Sequence, residues 1–124
     1  QLLAQRGVAS LMSEQISHHD DDDIDGLALA MEQGKEWLLV YTNKQVVKVL
    51  PSQHIDLHRL QGSIQQASTA PPCLFGFCSS RATLKEAWGL YHKRHYDYLL
   101  ITDQHDQVVG VLPTSTIKSL VRLD

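Results

Sequence analysis

The residues best equipped for chemistry stand together in His18-His19-Asp20-Asp21-Asp22-Asp23. Clustered carboxylate oxygens suit a hard cation such as magnesium or calcium. The alternate-position ligands and central Gly of a calcium loop are missing, however, and four adjacent carboxylates repel one another and favour a solvated loop. Asp23 stands directly before an apolar face that begins at Ile24, where an N-cap belongs, and its acidic neighbours suit the positive helix end. The run reads as a solvated loop and cap, with a divalent-metal-responsive module as an alternative.

The other candidates are sparser. His54 and His58 stand at i, i+4, a spacing that can share a metal on one helix face, but the zinc-protease pattern needs Glu where Ile55 stands. They read as surface histidines, as do His92 and His95. Cys73 and Cys78 have C-x4-C spacing and no nearby CxxC or HxxxC partner, so they read as unbridged thiols of a reducing compartment rather than half a zinc site. There is no G-x-S-x-G, no P-loop and no G-x-G-x-x-G. Ser/His/Asp and Cys/His sites assemble in space, so spacing does not test them. The expectation is no catalytic residue, no enzyme and no metal site.

What must position these residues is a duplicated unit. Gln107 to Ile117 (QVVGVLPTSTI) matches Gln45 to Ile55 (QVVKVLPSQHI) at seven of eleven positions, at an offset of 62. Each copy carries an apolar, β-branched run into Pro and a hydroxyl residue, then helical spacing: a strand turning into a helix. Trp37-Leu38-Leu39-Val40 corresponds to Tyr98-Leu99-Leu100-Ile101. Further back, Ile24, Leu27, Ala28 and Met31 repeat the i, i+3, i+4, i+7 spacing of Leu84, Ala87, Trp88 and Tyr91. Each copy therefore reads as a short extended lead-in, helix, strand, strand and helix.

Along the chain, Leu2 to Arg6 reads as a short helix ending at Gly7, and Val8 to Ser17 as an irregular lead-in and short strand. The first copy's helix runs from Ile24 to Gln33 and stops at Gly34. Strands follow at Trp37–Thr42 and Gln45–Leu50, joined by Asn43-Lys44. Ser52 caps a helix with Ile55 and Leu60 on its apolar face. Gln61 to Pro72, rich in Gln, Ser, Ala and Thr, reads as a linker. In the second copy, Leu74-Phe75-Gly76-Phe77 is the lead-in strand. Thr83 and Glu86 form a capping box for a helix running to His95. Strands at Asp97–Thr102 and Gln107–Leu112 flank the loop 103–106, and the last helix carries Ile117, Leu120 and Val121. The domain expectation is a first repeat at 8–60, a linker at 61–73 and a second repeat at 74–123.

The whole chain bounds the rest. Its 124 residues are 43% apolar and 20% charged, with net charge −3. That is one compact domain, or two small units sharing a core. No basic run suggests nucleic acid, and no apolar run approaches the roughly 20 residues of a membrane span. The chain begins with Gln1 and shows no signal-peptide pattern, which reads as a piece of a longer protein.

The pattern resembles a tandem pair of cystathionine-β-synthase (CBS) domains over Val8 to Leu123. The resemblance is carried by Val8-Ala9-Ser10-Leu11-Met12, Thr83-Leu84-Lys85-Glu86-Ala87, Tyr98-Leu99-Leu100-Ile101-Thr102-Asp103 and Val108-Val109-Gly110-Val111-Leu112. It implies an α/β (α+β) fold of two βαββα repeats packed about a pseudo-two-fold axis. It also implies a non-catalytic regulatory module, homodimeric, attached to the transmembrane part of a channel or transporter at the inner, cytoplasmic face of a membrane. The segment ending at Arg6-Gly7 resembles the cytoplasmic tail of chloride-channel-type transporters.

Many such pairs bind adenosine ligands in clefts between their units, so ATP, ADP or AMP is the implied ligand class, with no cofactor required. The family's ligand motif is Gly, two apolar residues, Ser or Thr, two variable residues and Asp. Copy two keeps Gly110 but has Pro113 and Thr116 at the hydroxyl and Asp positions. Copy one has Lys48, Pro51 and His54 at the three positions. Thr114 and Ser52, one step on, supply hydroxyls to a ligand or act as N-caps. Trp37 and Tyr98 flank an adenine or serve the core. Carried over, the nucleotide-site residues are Gly110, Pro113, Thr114, Thr116, Tyr98, Trp37, Lys48, Ser52 and His54. The degraded motifs favour the alternative of a purely structural assembly module.

Overall fold

The computed structural model describes residues 2–59 and 62–123, without the side chains of Leu2 and Leu123. Leu60, expected on a helix face, and Gln61, the expected linker start, lie outside the described residues. The chain divides into two compact units. The first is Gln15–Pro72. The second combines Gln1–Glu14, which carries the one-turn helix α1 (Leu2–Gln5), with Cys73–Asp124.

The first unit runs β1 (Ile16–Asp20), α2 (Ile24–Glu32), β2 (Trp37–Thr42) and β3 (Gln45–Pro51). β1 lies parallel to β2, which pairs antiparallel with β3. Asp23 caps α2 by accepting from the Gly26 N–H at 3.1 Å, and Gly34 follows the helix at φ +75°. Asn43 and Lys44 both take positive φ, 51° and 65°, as a type I′ hairpin requires. Leu27 and Ala30 of α2 pack on Leu38, Val40 and Leu50. Ala28, expected on that face, is exposed, and Ala30 takes its place.

Two expectations fail here for one reason. Among the described residues, no α-helix forms between Pro51 and Pro72. Ser52–His54 and Leu57–Arg59 are separate 3₁₀ turns, and Ile55 between them is extended (φ −94°, ψ 125°). Residues 63–69 are not a bare linker either: Ile64–Ala67 is a 3₁₀ helix whose Ile64 and Ala67 are fully buried. The two segments bind each other. The Asp56 N–H donates to Ala67 O at 2.8 Å, the Thr69 N–H donates to His54 O at 2.7 Å, and Ile55 bridges Ser68. Backbone groups satisfied in this way are not available to a helix. His54 and His58 consequently share no helix face.

The second unit repeats the scheme with β4 (Phe75–Ser79), α3 (Leu84–Arg94), β5 (Tyr98–Thr102), β6 (Val108–Pro113) and α4 (Thr114–Leu123). Its sheet has the same order and senses, β4 parallel to β5 and β5 antiparallel to β6. The register matches residue for residue. Trp37 pairs with Pro51 and Tyr98 with Pro113, and a register shift follows Val40 in one copy and Ile101 in the other. The Thr83–Glu86 capping box forms, and His95 ends α3 in the left-handed region at φ 52°.

The lead-in expected to open the first repeat packs in the second unit. Val8 is fully buried beside Ala82, Leu84, Ala87, Leu99 and Ile117, and its N–H donates to Ala82 O at 3.0 Å. Ser13 exchanges two backbone hydrogen bonds with Val111, at 2.8 and 3.0 Å, which extends the β6 edge. Burying an apolar residue of this size is worth about 1.5–3 kcal/mol, so Val8 anchors the opening segment where its cavity is.

Candidate functional site

Strand alternation sorts the candidate residues onto two faces. In the first unit Leu38, Val40 and Leu50 face α2, so Trp37 and Pro51, one residue out of step, share the other face. Lys48 pairs with Val40 and therefore lies on the α2 face, exposed. Trp37 and Lys48 are separated by their own sheet. The second unit behaves alike. Phe75, Tyr98 and Pro113 form one row across the sheet, whereas Gly110, paired with Ile101, lies on the face of Leu99 and Leu112.

Met12 packs over Gly110. A Cβ there would sit 2.5 Å from Met12 Sδ and 2.7 Å from Met12 Cγ, so the bare backbone accommodates Met12. Thr114 is also engaged. It is 2% exposed, its Oγ1 donates to Tyr96 O at 2.7 Å and lies 3.1 Å from Asp97 O, and its N–H donates to Asp97 O. The hydroxyl pins the start of α4 to the α3–β5 connection.

Ser52 makes no side-chain cap, and its N–H donates to Glu36 O. His54 is half-buried, with its carbonyl held by Thr69. Thr116 is half-buried in the first turn of α4, just beyond Pro113. Of the copy-two candidates, the structure therefore groups Tyr98 with Pro113 on one face, leaves Thr116 nearby in sequence, and sets Gly110 on the other face under Met12 with the Thr114 hydroxyl bonded to backbone. Burial raises the Tyr98 phenol pKa, with smaller contributions from Cys73 and Asp97. Cys73 and Cys78 are not bridged, and burial pushes the Cys78 thiol up.

The acidic run is partly strand rather than wholly loop. His18, His19 and Asp20 belong to β1, paired with Leu39, Val40 and Tyr41. His18 Nδ1 lies 2.6 Å from the Tyr41 hydroxyl, and burial, then the neighbouring His19, lowers the His18 pKa. His19 is buried between Ser17 and Asp23. Ser17 and His19 do not stand out as a pair in the sequence, although i, i+2 spacing on a strand puts both on one face, because the expected strand ends at Ser17 whereas β1 runs to Asp20. Asp21 is a fastener. Its carboxylate accepts from the Ser63 hydroxyl at 2.6 Å and the Gln65 N–H at 3.1 Å, while its carbonyl accepts from the Ile64 N–H at 2.7 Å. Among the described residues, no three His, Cys, Asp or Glu side chains are grouped to hold a metal ion.

Neighbours within this run should therefore differ sharply. Asp21→Ala is expected to cost at least about 1.5–3 kcal/mol, the worth of a hydrogen bond to a charged group. Asp22→Ala, at an exposed position, should change stability by no more than about 0.5 kcal/mol. Urea unfolding measures both, and equal effects would contradict the fastening role.

A β-α-β-β unit used twice in one chain, with the same register each time, is the architecture of a tandem pair of CBS domains, and this chain has that fold. Three solved structures illustrate the likeness. The CBS domain of the bacterial CNNM/CorC family Mg2+ transporter in complex with ATP matches with a TM-score of 0.57 at 16% identity, over 97% of this chain and 89% of that one. A CBS-domain pair with bound AMP from Klebsiella pneumoniae matches with a TM-score of 0.58 at 12% identity, over 95% and 99%. The CBS domain of a putative transporter from Clostridium difficile 630 matches with a TM-score of 0.60 at 12% identity, over 95% of each chain. No family model matches the sequence, and no curated protein matches it.

Proposed function

We propose that this chain is a non-catalytic regulatory and dimerisation module of a larger membrane transporter or channel, working at the cytoplasmic face and binding adenine nucleotide weakly without requiring a cofactor. The observation that carries the reading is the likeness, over nearly its full length, to CBS pairs that include a transporter domain with ATP and a pair with AMP. A ligand regulates such a module only through different affinities for two arrangements of it.

In this reading the nucleotide meets the second unit at Tyr98, Pro113 and Thr116. Binding is weak because Thr116 stands where a carboxylate would accept from ribose, and Pro113 offers neither hydroxyl nor N–H. Calorimetry with AMP, ADP and ATP should show weak binding, and Thr116→Asp should tighten it. A hydrogen bond to a charged group is worth about 1.5–3 kcal/mol, roughly 10- to 150-fold in affinity. Nanomolar binding by the unsubstituted chain, or a measurable affinity unmoved by Thr116→Asp, would refute this placement.

The second reading, a structural assembly module with no nucleotide, is favoured by Met12 over Gly110 and by the Thr114 hydroxyl bound to backbone. Undetectable binding both before and after Thr116→Asp would select it.

A further inference from the structure

The first unit holds a relay that the regulatory reading does not use. Ser17 Oγ lies 2.6 Å from His19 Nε2, and His19 Nδ1 lies 3.1 Å from Asp23 Oδ2. A carboxylate only accepts, so the Nδ1 proton must face Asp23. That choice leaves a lone pair on Nε2, and the Ser17 hydroxyl donates to it. The imidazole is thus held in the tautomer that can take the serine proton.

The surroundings hold this arrangement in place. The second Asp23 oxygen accepts from the Gly26 N–H, which fixes the carboxylate as it caps α2. Gly26 gives it room, because a Cβ at that position would collide with the Asp23 carboxyl group. The His19 side chain is 4% exposed and shielded from water, while Ser17 is only half-buried. A shielded base beside a more open hydroxyl is the arrangement of an activated nucleophile.

We propose that Ser17 is a covalent modification site for activated acyl groups, thioesters or aryl esters, with His19 as general base and Asp23 as its positioning residue. Ser17 Oγ bonds to the acyl carbon, and the bond from that carbon to sulfur or aryl oxygen breaks. The serine proton passes to His19 Nε2 and from there to the departing thiolate or aryloxide. One acyl group is added per chain, which removes the Ser17 donor from the relay.

p-Nitrophenyl acetate serves as the probe on the full chain, with peptide mass mapping to read the rate at each serine. Ser17 should be acetylated about 100-fold faster than the exposed Ser115, in the range a positioned general base provides. His19→Gln should bring Ser17 down to the Ser115 rate. Asp23→Asn keeps an N-cap residue but offers an amide that can donate to Nδ1, so it should cause the same fall in a chain that circular dichroism shows to be folded. Acetylation of Ser17 no faster than Ser115 in the unsubstituted chain overturns the proposal whatever the variants do. So does a fast Ser17 rate that survives Asp23→Asn.

Discussion

Ile64→Ala should destabilise the first unit by about 2–5 kcal/mol, the range for truncating a large aliphatic side chain in a core. Ile64 is fully buried against Leu27, Leu38, Val40 and Leu50, although it stands in a stretch whose composition looks like a tether. Truncation removes the side chain's apolar burial and leaves a cavity that α2 and the sheet cannot both close. Denaturant unfolding of the full chain measures the loss. A tether residue would give a change within about 0.5 kcal/mol, and such a value would show that the 63–69 segment does not belong to the core. Gln66→Ala, on the same 3₁₀ helix but exposed, is the control.

The second large effect is expected at Gly110. Gly110→Ala places a methyl group 2.5 Å from the Met12 sulfur, inside a packed core, and should cost about 1–3 kcal/mol. Met12→Ala alone should also destabilise, because it empties the space above Gly110. The double variant should be much less destabilised than the two losses added together, since the new methyl occupies part of that space. Strict additivity would mean that Met12 and Gly110 do not meet. The same register position in the first unit is the exposed Lys48, so Lys48→Ala should be nearly neutral.

How much the sequence disclosed depended on the range of the interactions involved. The Asp23 cap, the Thr83–Glu86 box, the Asn43-Lys44 turn and the strand repeats are local, with spacings set by helix and strand geometry. All appear in the structure. The doubled pattern was readable because each copy supports the other, and the matching registers reflect the aligned Trp37–Pro51 and Tyr98–Pro113 positions.

What could not be read was decided by contacts distant in sequence. Pro51-Ser52-Gln53-His54-Ile55 and Pro113-Thr114-Ser115-Thr116-Ile117 have similar local character, yet only the second becomes an α-helix; the first makes one 3₁₀ turn and runs into an extended Ile55, bound to residues 63–69. Gly110 suggested open backbone, but its space belongs to Met12, nearly the whole chain away. Thr114 suggested a cap or a ligand hydroxyl, and the carbonyls it satisfies lie on the far side of β5 and β6 in sequence. Of the candidate nucleotide site, residue types were legible, whereas the face each residue occupies needed the register.

The division of the units has a consequence for the order in which they can assemble. Gln15–Pro72 is continuous, so a nascent chain holds every part of that unit once Pro72 has been made. The opening residues must wait longer: Val8 for Ala82, and Ser13 for Val111. During that interval Val8, Leu11 and Met12 present apolar side chains whose partners do not yet exist, the kind of surface that invites misassociation during synthesis. Because the entropy of closing a loop grows only logarithmically with its length, the long separation carries little penalty in the finished protein. Its burden falls on timing: Val8 and Ser13 are made well before Ala82 and Val111, and are among the last of these residues to find their places.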